Sequence, residues 1–157
     1  SNGRATRLVV GHTRWDGGPV DPGYLLLPTP PAVPDYLRLR RESGLSPKTA
    51  EQATAALAGS WAVCHVVHQA SGEAVGMGRV LGDGGWYFQL VDMAVLPGHQ
   101  RRGIGHAVLT SLVDRVHAAA PPGAWVSLLA DPPGRRLYSR HGFTDTAPGS
   151  IGMALTI

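Results

Sequence analysis

One cysteine among 157 residues, Cys64, excludes an internal disulfide, so whatever stability this chain has must come from packing. Such sparing use suits a reducing compartment, and a cytoplasmic protein is expected. No apolar run approaches the ~20 residues that a membrane-spanning helix needs, which removes a membrane partner. Lysine is nearly missing. Lys48 is the only one, and the net charge of +3 is carried by scattered arginines without a basic run, giving nucleic-acid binding little support. Arg38, Arg40 and Arg41 look like the solvated face of one helix. No metal ion is expected. The first residues, Ser1 to Arg4, lack the charged-then-apolar pattern of a secretory leader and look like a tag remnant. With 43% apolar and 16% charged residues, what remains is an ordinary globule, long enough for one core, and a single domain over residues 1–157 is expected.

One further absence is local. From Leu96 to Gly103 there is no Ser, Thr, Asp or Asn, yet a helix must start there. The apolar run Phe88 to Val95 ends at Pro97-Gly98, and Ile104, Val108, Leu112 and Val116 then recur at helical spacing. A helix start has unpaired N–H groups, and this one has no side chain to cap them. Gly103 and Gly105 allow a ligand close to the backbone, the helix dipole favours an anion, and Arg101 and Arg102 add positive charge. A phosphate or pyrophosphate is the anion expected. Neither familiar phosphate loop matches: Val108 stands where a dinucleotide fingerprint needs its third glycine, and no Gly-Lys-Ser/Thr is present.

The rest of the chain supplies the context. Ala5 to Val10 and Tyr24 to Leu27 are candidate strands. Val33, Tyr36 and Leu37 have helical spacing with Pro34 in the first turn, although Arg40 interrupts the stripe and Leu39 lies off it. Ser46-Pro47 opens a second, alanine-rich helix that reaches about Leu57. Three strands joined by tight turns follow, Trp61 to Gln69, Ala74 to Leu81 and Trp86 to Val95. The helix after the phosphate turn runs to about Ala119. Trp125 to Ala130 then forms a strand parallel to Trp86 to Val95 by a strand-helix-strand crossover. Asp131 caps a last helix with Pro132 and Pro133 in its first turn and Gly142 as its stop. One or two closing strands are expected in Phe143 to Ile157, Ser150 to Ile157 being the clearer.

Gln100-Arg101-Arg102-Gly103-Ile104-Gly105 resembles the acetyl-CoA signature of the GNAT superfamily of N-acetyltransferases, Gln/Arg-x-x-Gly-x-Gly/Ala, with Val95-x-Pro97 closing a strand before it. Leu137-Tyr138-Ser139-Arg140-His141-Gly142-Phe143 is similar to the family's Leu-Tyr-x-x-x-Gly-Phe ending. The resemblance runs from about Tyr36 to the end and implies an α+β fold: a mostly antiparallel mixed sheet, with one parallel strand pair splayed around the cofactor, flanked by four helices. It implies acetyl-CoA as donor, its pyrophosphate on the amides of Arg101 to His106 and its pantetheine arm along Met93, Ala94 and Val95. Leu129 to Asp131 would form the opposite lip. Many relatives carry an Asn near there, so Asp131 is either a helix cap or a cofactor contact.

Acetyl transfer to an amine needs a neutral nitrogen and a proton for the departing thiolate. The resemblance makes Tyr138 the general acid, since a phenol remains protonated at neutral pH. Asp92 is the candidate base because it interrupts the apolar run Leu90 to Val95; the other account of it is a buried pairing with an arginine such as Arg79. His65 and His68 are weaker candidates, and Cys64 as an acetylated intermediate is the least favoured. The acceptor is the least legible part. Tyr36 and the run Trp86-Tyr87-Phe88 could line a pocket for an aryl or alkyl amine, although aromatics at a strand start are more often core. Val91 to Val95 and Gly149 to Met153 also resemble arylalkylamine (serotonin-type) acetyltransferases, pointing to a small amine. Acetylation of a protein or peptide, and a non-catalytic CoA-binding sensor, are the alternatives, and a monomer or homodimer is expected.

Overall fold

The computed structural model describes residues 20–157. The strand expected at Ala5 to Val10 lies outside the described residues, as does most of the loop after it. The chain divides into two compact units, one ending at Ser127 and the other running from Leu128 to Ile157.

The first unit is a sheet with three helices. Its strands are β1 (Tyr24–Leu27), β2 (Ala62–His68), β3 (Glu73–Gly82), β4 (Tyr87–Val95) and β5 (Trp125–Ser127), and its helices are α1 (Val33–Glu42), α2 (Ala50–Ala58) and α3 (Ile104–Ala119). The spatial order is β1-β2-β3-β4-β5. Neighbours are antiparallel except β4 and β5, which are parallel, as the crossover through α3 requires. Ile104, Val108, Leu112 and Val116, the stripe expected on α3, are all buried.

Two details of the helices differ from expectation. Helix α2 starts at Ala50, with Thr49 and not Ser46 as its cap: the Thr49 hydroxyl accepts from the Gln52 amide at 3.1 Å while the Gln52 side chain accepts from the Thr49 amide at 3.0 Å. That reciprocal box satisfies two N–H groups at once, more than Ser46 could do alone. On α1 the buried residues are Tyr36, Leu39 and Arg40, so the stripe includes the arginine that seemed to break it. Arg40 is therefore not part of a solvated face. Arg38 is half-buried and pairs with Glu73 at 2.8 Å, which leaves only Arg41 of the three on the open surface.

Strand β4 carries an irregularity that matters for the site. Met77 faces Ala94 and Arg79 faces Val91, so Asp92 and Met93 together stand opposite Gly78. This is a β-bulge, and Asp92 within it has φ +55. Gly78 is needed there because α3 comes so close: a Cβ on it would lie 2.6 Å from the Met93 sulfur, 2.7 Å from Val108 and 3.0 Å from Leu112.

In the second unit a 3₁₀ turn, Pro132–Gly134, leads into α4 (Arg135–Arg140), and Gly142 at φ +87 ends it, as expected. The closing strands are not formed. Among the described residues no strand lies beyond Ser127, so β5 also stops short of the expected Ala130. Ile151, Met153, Leu155 and Ile157 keep their strand-like alternation but are exposed. A period of two marks the capacity to pair; the partner must come from elsewhere in the fold, and this unit contains no strand to provide one.

Replacing Gly78 by Val should destabilise the protein by about 1–3 kcal/mol, because Met93, Val108 and Leu112 must all give way. Urea denaturation followed by circular dichroism checks this, and a change under half a kcal/mol would contradict the close approach of α3.

Candidate functional site

The turn between β4 and α3 is built as its missing cap implied. A 3₁₀ turn, Pro97–His99, follows β4, and Gly103 occupies the N-cap of α3 at φ +77 with no side-chain hydrogen bond. Arg101 is also left-handed, at φ +61. Two such residues separated by one force a tight, concave path, the kind of backbone that gathers N–H groups toward an anion. Ile104, Gly105 and His106 form the first turn of the helix. The Gln100 side chain does not project toward a ligand but turns back to donate to the Val95 carbonyl at 3.3 Å, tying the turn to the end of β4. Arg101 is exposed; Arg102 pairs with Asp21 at 3.1 Å in a solvent-facing bridge that a bound anion can exchange at little cost.

Beside this turn β4 loses its neighbour. Its parallel ladder with β5 holds only Tyr87, Phe88 and Gln89. From Leu90 to Val95 one side of the strand is free of that ladder, and this stretch contains Met93, Ala94 and Val95, where the pantetheine arm was expected. The backbone groups, the left-handed turn and the arginines form a donor set that fits an extended amide-bearing chain ending in a pyrophosphate.

Asp92 is held on every side. Its carboxylate accepts hydrogen bonds from the Tyr36 hydroxyl, from Arg40 and from the Arg79 Nε, the last at 2.6 Å. The arginine pairing weighed for this residue is present, with two arginines instead of one. All three ion-pair side chains are largely buried, at 8, 10 and 13% exposure for Arg40, Asp92 and Arg79. Burial and the neighbouring carboxylate push the Tyr36 hydroxyl above the usual phenol range, so it stays a donor. Sequence reasoning missed Arg40. The signal was there in two defects: an arginine on an apolar helix stripe and an acid in an apolar strand.

Tyr36, expected beside the acceptor, is thus a buried core residue whose hydroxyl donates to Asp92. Phe88 is likewise fully buried, edge to face with Trp61 at 4.8 Å, because alternation along β4 turns it inward. Trp86 and Tyr87 are exposed and pack edge to face at 5.3 Å. His65 is occupied by the Thr29 carbonyl at 2.6 Å and His68 by the Ser71 hydroxyl at 2.8 Å.

In the second unit Tyr138 lies on α4 against Gly134, where a Cβ would come within 2.7 Å of its ring, and edge to face with Phe143. Burial first and the Asp131 charge second push its hydroxyl above the ordinary phenol value, which keeps the proton on it. Asp131 stands at the N-cap position but makes no side-chain cap bond. Pro132 and Pro133 have no N–H to offer it, and the Gly134 amide goes to the Asp131 carbonyl at 3.0 Å.

The family described as an acetyltransferase (GNAT) domain matches residues 60–145. Among solved structures, a protein of unknown function from meticillin-resistant Staphylococcus aureus, described as a probable acetyltransferase, is 34% identical with a TM-score of 0.81, the match covering 85% of this chain and 99% of that one. A GNAT-family acetyltransferase from Streptococcus pneumoniae is 22% identical (TM-score 0.66, 85% and 97% covered), and glucosamine-6-phosphate N-acetyltransferase from Arabidopsis thaliana is 16% identical (TM-score 0.62, 85% and 97%). No curated protein matches the sequence. The family match and the 34% identical relative make this an acetyltransferase of a family whose members use acetyl-CoA. The chain belongs to the GNAT family. Among the described residues no helix is long and apolar enough to cross a membrane.

Cys64 offers a check on the core beneath this site. It is fully buried, and burial pushes its thiol from 9.0 up to about 12, which disfavours it as a nucleophile. A folded-state value above the unfolded one means that the folded protein holds the proton more tightly. The stability so gained is complete below about pH 9 and is lost as pH rises from there toward 12. A thiol reagent at pH 8 should therefore label Cys64 only in denaturant, and rapid labelling of the native protein would contradict its burial.

Proposed function

We propose that this protein transfers an acetyl group from acetyl-CoA directly to the primary amine of a small molecule. The observation that carries the reading is one juxtaposition: β4 sheds its β5 ladder after Gln89, and the next helix starts uncapped at a turn with two left-handed residues and two arginines. The strand offers backbone hydrogen bonds to the pantetheine arm through Met93, Ala94 and Val95. The turn offers the amides of Arg101 to His106 to the pyrophosphate, and Gln100 holds the turn against β4. Bound there, acetyl-CoA supplies a thioester, an acyl group already activated toward an amine.

Tyr138 is the proposed proton donor to the departing sulfur, a role that rests on the Leu137 to Phe143 resemblance; its raised affinity for the proton keeps the hydroxyl protonated and does not make it a stronger acid. Asp131, whose carboxylate is not used as a cap, is available as a contact to the cofactor. The small-amine acceptor rests on the resemblance of Val91 to Val95 and Gly149 to Met153 to arylalkylamine acetyltransferases. Exposed Trp86 and Tyr87 are the aromatic residues left to meet such a substrate once Tyr36 and Phe88 are assigned to the core.

Acetyl-CoA consumption across a panel of aryl and alkyl amines and short peptides tests the reading. Turnover with an amine is expected; turnover confined to peptides would overturn the acceptor, and CoA binding without any turnover would favour a sensor. Tyr138→Phe should lower kcat by about 10²-fold or more with little change in CoA affinity. Gly103→Val should chiefly weaken CoA binding, since a β-branched residue resists φ +77. The reverse pattern would contradict both roles.

A further inference from the structure

The Asp92 carboxylate has two oxygens and about four lone-pair sites, and three of them are taken. One oxygen accepts from Arg40; the other accepts from both Arg79 and Tyr36. A carboxylate so enclosed is poorly placed to collect a proton from a substrate amine, and its protonation would leave two buried guanidinium groups without their counter-ion. Its backbone is as unusual as its partners. Asp92 is left-handed in mid-strand, a conformation that persists only where the surroundings over-determine it.

The two arginines reach further. Arg40 donates through Nε and Nη2 to the Ser46 carbonyl, at 2.9 and 2.8 Å, and through Nη2 to the Ser46 hydroxyl at 3.1 Å. Arg79 donates to the Ala56 carbonyl at 3.3 Å and meets the Ser60 hydroxyl at 3.5 Å. Ser46 lies between α1 and α2; Ala56 and Ser60 mark the end of α2. One buried ionic group thus ties the bulge of β4 to both helices and their connection.

We infer that Arg40, Asp92 and Arg79 form a positioning clamp that holds the bulge of β4, and with it Met93 to Val95, in fixed register with α1 and α2, and that Asp92 is not the general base. The inference rests on the acetyl-transfer reading for its catalytic consequence. The strand that would carry the thioester and helices α1 and α2 then move as one body. Displacing the strand by a fraction of an ångström would slow transfer without removing the turn that binds CoA.

Wild-type turnover with acetyl-CoA and the best amine of the panel is measured first, followed by Asp92→Asn, Arg40→Met and Arg40→Lys, each with CoA affinity by calorimetry and the pH profile of kcat/KM. Asp92→Asn and Arg40→Met should each lower kcat by about 10- to 100-fold, the scale expected for misplacement, while CoA affinity changes little. The acidic limb of the profile should survive in Asp92→Asn. Arg40→Lys, which keeps the charge but not the planar fork, should fall between wild type and Arg40→Met. Loss of the acidic limb in Asp92→Asn, with Arg40→Met turning over like wild type, would overturn the clamp and restore Asp92 as base. If Asp92→Asn does not fold, the ordering of the two Arg40 variants decides, and equal turnover by both and by wild type overturns the proposal. Absence of wild-type turnover would count against acetyl transfer and not against the clamp. In that case, hydrogen exchange at the amides of Asp92 to Val95 should be about tenfold faster in Arg40→Met than in wild type, and unchanged exchange would overturn the proposal.

Discussion

A left-handed aspartate in the middle of a strand is the constraint on which the rest of this structure depends. Strands do not tolerate such a residue without compensation, and Asp92 is compensated by two buried arginines and a tyrosine. Removing one partner from a buried ion pair typically costs about 3–5 kcal/mol, a large fraction of the stability of a domain this size. The extra residue at the bulge changes what lies downstream. It resets the pleat of β4, so Met93 packs over Gly78, Ala94 turns into the core, and the strand arrives at Pro97 beside the start of α3.

That arrival makes the turn possible. Helix α3 packs tightly enough to require glycine at Gly78, and its N-terminus then faces the end of β4 with no capping side chain. Two left-handed residues, Arg101 and Gly103, bend the chain between them. The same short β5 leaves β4 without a ladder past Gln89, so on that side the backbone from Leu90 to Val95 does not pair with β5. Packing, strain and missing hydrogen bonds therefore converge on one stretch, and the chemistry proposed for the protein follows from that convergence.

Most of this was legible where a local pattern had one physical reading. The apolar stripe of α3, the missing cap before it, the tight turns between β2, β3 and β4, and Gly142 at the end of α4 each depend on neighbours in sequence. What escaped depended on distant partners. Arg40 looked like a solvated charge because its counter-ion lies 52 residues away on another element. Thr49 displaced Ser46 as a cap because Gln52 reciprocates. Phe88 and Trp86 belong to the same aromatic run, yet one is in the core and the other on the surface, a difference set by strand phase. The alternating tail from Ile151 to Ile157 has strand composition without a strand, since pairing is a property of two segments.

The proposed donor side is built from backbone whose conformation the sequence constrains, whereas the proposed acceptor side depends on side chains brought together by the fold. The turn from Arg101 to His106 is proposed to bind the pyrophosphate of coenzyme A. Calorimetric titration of the protein with acetyl-CoA and with S-acetylpantetheine, which keeps the thioester arm but lacks the pyrophosphate, tests that claim most directly. Acetyl-CoA should bind at least about tenfold more tightly, since even one charge-assisted hydrogen bond is worth that much. Equal affinity for the two would contradict it.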